Sequence, residues 1–282
     1  MDIEYSLYQL TPLRKANRLS SLEPKTGVYL KTIINGRAHF ADYFPHLPLG
    51  DRGHEQFLEE FKNQHCEYDQ KVLALLKKDR DYQNHKSVTF KNHQLWTGSE
   101  EITAPVVKYK MMTPTDSLFL SVLERGSRLR LDSNAIFGRS SYLDFLKTIP
   151  QELHSLIDYV EDPIREKDWS GLPVPSAQDF IASESFDFYI YKPNCEFIPQ
   201  TQKPIIFSAY LGSNLGNWHT YCEMVDSADL NLTHGIIGKN FYQEEGHFML
   251  GNYLDGFYPD LKAVNNIYHS LHQRNWKQLC SM

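Results

Sequence analysis

The chain has 282 residues, of which 41% are hydrophobic, 13% are aromatic and 23% are charged. That balance is typical of a globular protein with a sizeable core, and it excludes a disordered polyelectrolyte. The formal net charge is −6 and no Lys/Arg-rich stripe stands out, so the composition argues against a nucleic-acid partner.

Cysteine usage and hydropathy indicate the cellular compartment in which the protein is expected. The four cysteines lie far apart and form no C-x-x-C pair, which is too sparse for a disulfide scaffold and predicts free thiols. No apolar run approaches the roughly 20 residues that a membrane-spanning helix needs, and the first residues show no secretory signal. We therefore expect a cytoplasmic protein that binds neither nucleic acid nor membrane, with its oligomeric state left open.

The first part of the chain predicts a mixed antiparallel unit followed by helix. The predicted strands are 3–8, 27–34 and 38–41. Between the last two, the Asn35-Gly36 pair is a hairpin-turn signal. The prolines and glycine of 43–52 predict a loop, and apolar residues recur at helical spacing over 54–78.

After residue 104 the chain changes to short strand-like runs that alternate with short helical or loop segments. The runs are 106–111, 128–131, 156–160, 172–177, 186–191, 205–209 and 232–237. Strands that alternate with helical patterns predict βα units and a parallel sheet, and this many runs favour a closed barrel. The tail from residue 253 predicts irregular chain and one more helix, whose apolar face reaches Trp276.

Two lysines share one face of the first of these runs. In a parallel barrel alternate side chains point inward, and catalytic groups lie at the C-terminal ends of the strands. Lys108 and Lys110 would therefore both point inward. Because neighbouring ammonium groups repel each other, the pKa of one tends to fall, and such a lysine can act as a general base. An exposed edge strand with two solvated lysines is the alternative.

The second run ends in residues suited to a hard cation. Arg130, Asp132 and Asn134 share one face of it. Carboxylate and amide oxygens are the ligands that Mg²⁺ and Ca²⁺ prefer. An aspartate that caps the following helix is the alternative.

Three further charged residues end later runs. Glu161 precedes Asp162-Pro163, and Asp179 follows a run whose two prolines make it a poor strand. Lys192 closes an apolar strand before a proline, where an ammonium is costly unless it meets a carboxylate or a substrate anion. Polar loops are the alternative for Glu161 and Asp179. Taken in order, the strand ends bring three carboxylates together, with lysines on two sides of them.

This order of residues resembles the signature of the enolase superfamily, in its muconate-lactonizing-enzyme-like subgroup, and within it the o-succinylbenzoate synthase family. The matching pieces are Lys108-Tyr109-Lys110, residues 130–134, Glu161-Asp162-Pro163 and Lys192-Pro193. A later piece, 207–216, resembles the serine-rich loop after the seventh strand. The stretch 36–48 resembles the capping-domain segment that reaches the active site.

The resemblance implies a two-domain α/β fold. A (β/α)₇β modified TIM barrel over 99–254 would carry the active site. An α+β N-terminal capping domain would cover 1–98, with 255–282 packing back on it. One departure concerns Asp179, which stands in Ala177-Gln178-Asp179-Phe180 without the Asp-Glu-Ser that usually follows this strand.

The resemblance also implies an activity, the Mg²⁺-dependent dehydration of a small carboxylate substrate to o-succinylbenzoate in menaquinone biosynthesis. The implied metal ligands are Asp132, Glu161 and Asp179. Lys110 would abstract the proton α to the substrate carboxylate, and Lys192 would stabilise the enolate from the opposite face. Lys108 would tune Lys110. The residues assigned to substrate binding are Arg130, Asn134, Ser208, Gly212 and Ser213.

Two other functions are compatible with the same residues. An N-acylamino acid racemase or dipeptide epimerase of the same superfamily would use Lys110 and Lys192 as bases on the two faces of its substrate. A barrel that kept its fold and lost its chemistry is a more remote alternative. Several buried charges without a metal would cost it several kcal/mol each.

Overall fold

The structure is a computed structural model in which residues 1–13, 21–63, 66–236, 242–244 and 246–282 are described. The strands in chain order are β1 Asp2–Leu10, β2 Lys25–Ile34, β3 Arg37–Tyr43, β4 Lys91–Asn92, β5 Gln94–Trp96, β6 Val106–Lys110, β7 Arg128–Asp132, β8 Ile157–Glu161, β9 Ser176–Gln178, β10 Phe188–Tyr191, β11 Ile205–Phe207, β12 Thr233–His234, β13 Met249–Asn252, β14 Gly256–Pro259 and β15 Lys277–Ser281. The α-helices are α1 His54–Glu60, α2 Glu67–Gln83, α3 Leu120–Glu124, α4 Arg139–Lys147, α5 Asn214–Ser227 and α6 Leu261–His272. Short 3₁₀-helices cover Leu47–Leu49, Phe61–Asn63 and Gln151–Leu156.

The N-terminal region builds an antiparallel sheet in the order β15-β1-β2-β3. The predicted hairpin between β2 and β3 is confirmed, with Ile34 paired to Arg37. Its turn residues, Asn35 and Gly36, have φ angles of 50° and 74°, as a two-residue hairpin turn requires. The predicted helical segment is also confirmed, as α1 and α2, and the buried side chains of α2 join the core beneath this sheet.

The second sheet is a closed parallel barrel. Strands β5 to β11 are neighbours in chain order. Ser208 bridges Gly235, and β12 pairs in parallel with β4, which directly precedes β5. Hydrogen bonds from Gly235 N to Phe207 O (2.8 Å) and from His93 N to His234 O (2.9 Å) complete the seam. The predicted modified TIM barrel with an N-terminal cap is confirmed.

Helices cover only part of this barrel. Helices α3, α4 and α5 follow β6, β7 and β11. The fully described connections 97–105, 162–175, 179–187 and 192–204 contain no α-helix. Loops therefore form much of the outer layer, and the barrel needs less chain than one with a full helix in every crossover.

The side-chain alternation within the barrel matches the sequence prediction. Val107 and Leu129 point outward, where they pack in a core with the apolar residues of α3 and α4. Tyr159, Ile190 and Ile206 form a separate apolar layer, which we place inside the barrel from the alternation of each strand. The lysines and carboxylates at the strand ends stand above this layer.

The structure differs from the predicted elements in several places. The run 172–177 forms a strand only over Ser176–Gln178, because Pro173 and Pro175 have no N–H group to donate. The C-terminal helix ends at His272, so the prediction that Trp276 lies on its apolar face is wrong. The chain turns there into β15, and the Trp276 indole donates back to Leu271 O (3.2 Å).

Several strands were missed or fall outside the predicted bounds. The hairpin β13–β14 and the edge strand β15 were not predicted. Strands β4 and β5 belong to the barrel, although they precede residue 99, its predicted first residue. Ile237, at the end of the last predicted run, lies outside the described residues. No helix of the described chain is long and apolar enough to cross a membrane.

Candidate active site

Parallel pairing sets Lys108, Lys110 and Asp132 side by side at the barrel mouth. Lys108 pairs with Arg130, and Lys110 pairs with Asp132, on neighbouring strands β6 and β7. The Asp132 Oδ2 atom lies 3.2 Å from Lys108 Nζ and 3.0 Å from Lys110 Nζ. Lys108 is buried, whereas the Lys110 side chain is 23% exposed and so stays accessible from the mouth.

Glu161 joins the same group from the next strand, β8, where it pairs with Asp132. Lys108 Nζ donates to Glu161 Oε2 at 2.6 Å. Burial alone would lower the pKa of Lys108, but the carboxylates of Asp132 and Glu161 raise it well above its usual value. Burial would raise the pKa of Asp132, but the two lysines outweigh it and lower that pKa. The Lys108 ammonium is therefore held in its charged form.

Lys192 and Asp179 form the other half of the mouth. Lys192 directly follows β10, and its ammonium is ion-paired with the carboxylate of Asp179. Burial would lower the pKa of Lys192, but Asp179, and after it Glu161, raise it well above normal. Lys192 is thus a charged cation that is electrostatically coupled to both carboxylates. We call Lys108, Lys110, Asp132, Glu161, Asp179 and Lys192 the mouth cluster.

The mouth cluster sets three lysines against three carboxyl groups. Among the described residues, no three His, Cys, Asp or Glu side chains already stand in a metal-binding group. The chemistry of the donors nevertheless fits a hard cation, because three carboxylates end consecutive strands. Asp132 Oδ2 is buried and accepts no hydrogen bond, although both ammonium groups lie within ion-pair distance. That oxygen is the clearest candidate for a metal ligand.

Asn134 and Arg130 lie two residues after and two residues before Asp132, and so at different depths in the barrel. The Asn134 amide donates to Asp132 Oδ1 at 2.6 Å, so it orients that carboxylate. Arg130 lies two residues below Asp132 on the same face of β7. The structure therefore brings Asn134 to the mouth cluster and leaves Arg130 beneath it. Substrate binding by either residue stays a prediction.

The Arg130 guanidinium is bound by protein groups on several sides. It donates to Asp158 Oδ2 at 2.7 Å and to Thr233 O at 2.6 Å. Its Nη1 lies 3.2 Å from His93 Nδ1, and the guanidinium stacks over the Tyr159 ring at 4.9 Å. We call Arg130, Asp158, Thr233, His93 and Tyr159, together with His234, the floor cluster.

The loop after β11 meets the capping domain through Asp42. Ser213 donates to Asp42 Oδ2 from its backbone N (3.1 Å) and from its Oγ (2.8 Å). A Cβ atom on Gly212 or Gly216 would lie 3.0 or 2.7 Å from that same oxygen. The N-terminus of α5 therefore cradles a carboxylate that belongs to the protein itself.

This contact bears on three residues that were assigned to the substrate. Gly212 and Ser213 lie against Asp42, and the Ser213 side chain is buried. Ser208 lies at the seam of the barrel, where its N–H donates to Tyr191 O at 2.9 Å. Ser208 is half-buried. It is the member of the three whose position best suits contact with a ligand, and all three assignments stay predictions.

Residues of the capping domain contact the loop after β11. His46 Nε2 lies 2.6 Å from Tyr210 O, and the Tyr210 hydroxyl donates to Asp51 Oδ2 at 2.7 Å. Burial, followed by the charges of Lys25, Lys192 and Lys110, lowers the pKa of His46 to about 3. His46 is therefore neutral, and its Nε2–H donates to Tyr210 O.

The sequence reasoning missed His46, Tyr210 and Asp162 as residues around the site. His46 and Tyr210 occur in the stretches 36–48 and 207–216, which had been singled out as whole segments. Asp162 follows Glu161 directly and is fully buried. A second carboxylate immediately before Pro163 was the available signal for it.

Comparisons with known proteins agree with this geometry. No protein-family model matches the chain. An o-succinylbenzoate synthase of Bdellovibrio bacteriovorus is 25% identical over 289 aligned positions, which cover 86% of this chain and 88% of that protein.

Solved structures reproduce the fold over nearly the whole chain. The o-succinylbenzoate synthase of Thermosynechococcus elongatus, solved with magnesium in its active site, aligns with a TM-score of 0.66 at 14% identity and covers 96% of this chain and 100% of that one. The muconate lactonizing enzyme of Pseudomonas fluorescens aligns with a TM-score of 0.64 at 12% identity, over 92% and 94% of the two chains. A dipeptide epimerase of Enterococcus faecalis, solved with magnesium and L-Leu-L-Tyr, aligns with a TM-score of 0.60 at 11% identity, over 92% of this chain and 96% of that one.

The fold, the strand-end residues and the curated relative point in one direction. The chain has the fold of the enolase superfamily, and its sequence resembles that superfamily's o-succinylbenzoate synthases.

Proposed function

We propose that the protein is an o-succinylbenzoate synthase, a Mg²⁺-dependent carbon–oxygen lyase. Its substrate would be 2-succinyl-6-hydroxy-2,4-cyclohexadiene-1-carboxylate, which loses water to give o-succinylbenzoate for menaquinone biosynthesis. The observation that carries the proposal is the mouth cluster. Lys110 and Lys192 lie at the ends of different strands beside Asp132, Glu161 and Asp179, an arrangement that suits removal of the proton on the carbon next to a carboxylate.

The difficulty of the reaction explains why so many charges meet at one place. A proton next to a carboxylate is barely acidic, because its removal leaves a dianionic enediolate. Groups that are already charged and fixed in position stabilise this dianion most effectively. Mg²⁺ held by Asp132, Glu161 and Asp179 would supply part of that positive charge.

The lysines supply the remaining chemistry. Lys110, partly exposed beside the fully charged Lys108, would take the α-proton on Nζ. Lys192, a cation on the other side, would stabilise the enediolate. In a syn elimination the ring proton and the hydroxyl leave from one face. The Lys110 ammonium can therefore return its proton to the departing hydroxyl, which leaves as water while the ring becomes aromatic.

An ultraviolet assay tests the proposal directly. Purified full-length protein is given the cyclohexadiene substrate with Mg²⁺, and then with excess chelator, and formation of the aromatic product is followed. We expect turnover with Mg²⁺, none with chelator, and none in Lys110→Ala. A folded, Mg²⁺-supplied protein that leaves the substrate unchanged contradicts the synthase proposal.

Racemisation or epimerisation is the second candidate, and it has specific support. A structural neighbour from Agrobacterium tumefaciens, with homology to dipeptide epimerases, was solved with L-Ala-L-Glu bound. Lys110 and Lys192 would serve as the two bases of such a reaction. Incubation of N-acylamino acids and dipeptides in D₂O distinguishes the two functions. A racemase or epimerase exchanges the α-proton of these compounds for deuterium and inverts their configuration. A synthase that acts only on its own substrate leaves both unchanged.

A further inference from the structure

Asp162 makes a set of contacts that the proposed chemistry leaves unexplained. It directly follows Glu161, is fully buried and has a φ angle of 43°. Left-handed backbone is uncommon for residues other than glycine and carries a conformational cost, so the surroundings must hold it there.

The Asp162 carboxylate binds the loop that carries Asp179. Its Oδ1 accepts from Asp179 N (3.1 Å) and Ile181 N (3.3 Å), and its Oδ2 accepts from Phe180 N (3.2 Å). Strand β9 has already ended at Gln178. In the described chain, these three amides donate to no backbone carbonyl, so this carboxylate holds the loop in place of a sheet ladder.

The backbone of Asp162 is tied to the two neighbouring strands. Asp162 N donates to Ala177 O on β9 at 2.9 Å. Its carbonyl accepts from Ser133 Oγ (2.7 Å) and from Ala135 N (2.9 Å), directly after β7. One buried residue therefore connects the ends of the three strands that carry Asp132, Glu161 and Asp179.

The position of Asp179 needs such a support. Its loop lacks the Asp-Glu-Ser sequence noted above, and its carboxylate is ion-paired with Lys192. Without a fixed backbone, that attraction would decide where the carboxylate points. Residues that hold a ligand from behind commonly change metal affinity by 10–100-fold when mutated.

We propose that Asp162 is a positioning residue that fixes Asp179 relative to Asp132 and Glu161 for metal binding. The proposal rests on the proposed Mg²⁺-dependent function. In it, the loop after β9 is held by a residue that follows β8, and not by residues of its own sequence.

Direct metal titration tests it without relying on turnover. Mn²⁺ is the probe, because it takes the same oxygen ligands as Mg²⁺ and its binding can be followed by electron paramagnetic resonance. The full chain is compared with Asp162→Asn, which keeps one acceptor oxygen. The matched control is Asp187→Asn at the other end of β9, where an exposed carboxylate accepts from Ser176 N at 2.9 Å.

We expect Asp162→Asn to bind Mn²⁺ about 10–100-fold more weakly than the unmodified chain, and Asp187→Asn to bind it equally well. Thermal melts without metal establish that each variant is folded. Ser133→Ala, which removes the hydroxyl that donates to the carbonyls of Asp162 (2.7 Å) and Glu161 (3.2 Å) and leaves the Asp162 carboxylate intact, should weaken binding by a smaller factor. It decides the question if Asp162→Asn does not fold.

The outcomes separate this proposal from the function on which it rests. An unmodified chain that binds no Mn²⁺ contradicts the metal-dependent function, and the role of Asp162 falls with it. If the unmodified chain binds Mn²⁺ and a folded Asp162→Asn or Ser133→Ala variant binds it equally well, the positioning role is overturned and the function stands. Equal weakening in Asp187→Asn also overturns it, since the effect then follows from any loosening of β9.

Discussion

The barrel holds two buried networks of charged residues, and along β7 the floor cluster lies two residues below the mouth cluster. The two networks differ in how fully their charged groups are hydrogen-bonded. In the floor cluster, Arg130 is bonded to Asp158 and Thr233 and stacks on Tyr159. In the mouth cluster, Asp132 Oδ2 has two ammonium groups at ion-pair distance but accepts no hydrogen bond from either, and Lys110 is partly exposed. The charges of the floor cluster are matched within the protein, although the buried Tyr159 hydroxyl has no hydrogen-bond partner among the described residues, whereas the mouth cluster keeps a partly exposed ammonium group and a carboxylate oxygen that a ligand can use.

This difference separates stability from function along β7. A buried ion pair whose groups are fully bonded is strongly destabilising to break, because the remaining charge has no partner. A charge that shares its partner with a second ion is less costly to remove. We therefore expect mutations in the floor cluster to lower stability and mutations in the mouth cluster to lower turnover.

The largest expected effect is the loss of turnover in Lys110→Met. Removal of the proposed general base should reduce kcat for o-succinylbenzoate formation by about 10²–10⁴-fold. The free energy of unfolding should change by less than about 1 kcal/mol, because Asp132 keeps its ion pair with Lys108. Steady-state kinetics and urea denaturation measure the two quantities. A variant that unfolds easily yet keeps its kcat would reverse the comparison.

The next largest effect is the destabilisation of the floor cluster in Asp158→Asn. The buried Arg130 guanidinium loses its carboxylate partner, so the free energy of unfolding should fall by about 3–5 kcal/mol. Any folded fraction at low temperature should keep kcat within about tenfold of the unmodified chain. Urea denaturation checks the first value, with Asp168→Asn in an exposed loop as the control.

A smaller effect is the pH dependence that His234 adds to stability. Its Nδ1 accepts from Phe207 N (3.2 Å) and its Nε2 lies 3.2 Å from Asp229 O, so both ring nitrogens are used in the neutral form. Burial, and after it the Arg130 charge, lower its pKa to about 4, against the opposing hydrogen bond to Asp229. Below a pH of about 6.5 the unfolded chain binds a proton that the folded chain does not.

The contribution of His234 to the free energy of unfolding is therefore fully present above that pH, and it is lost as the pH falls toward about 4. From pH 7.5 to 5.5, His234 should account for a loss of about 1.4 kcal/mol. Over the same pH interval, the unfolding free energy of His234→Gln should fall by about 1.4 kcal/mol less than that of the unmodified chain. Identical pH profiles for the two proteins would show that His234 is neutral or charged alike in both states.

The sequence was sufficient to predict the mouth cluster because period-two alternation decides which side chains face inward. Lys108, Lys110 and Asp132 followed from that rule together with the parallel order of strands. Arg130 obeys the same rule, but the β8 residues that face it depend on the bulge in β8, which lies between Leu129 and Arg130 in the pairing. A register shift of this kind has no local sequence signal, so its partner Asp158 could not be foreseen.

Long-range contacts account for the rest of what was missed. Strand β15 pairs with β1 although almost the whole sequence separates them. Asp42, in the capping domain, contacts the N-terminus of α5. Neither contact leaves a pattern within a short window of sequence. The predicted use of Ser213 for substrate followed from its place in the loop, and only the packed structure reveals a carboxylate beside it.

The smallest expected effect separates Ser213 from Ser208 and extends the comparison to the loop after β11. The Ser213 side chain caps α5 by accepting from Gly216 N and donates to Asp42. Ser213→Ala should therefore lower the free energy of unfolding by about 1 kcal/mol and leave KM nearly unchanged. Ser208→Ala should change stability by less than about 0.5 kcal/mol and raise KM if its hydroxyl contacts the substrate. A rise in KM without loss of stability in Ser213→Ala would instead place Ser213 with the mouth cluster, as a ligand contact that the Asp42 carboxylate gives up when substrate binds.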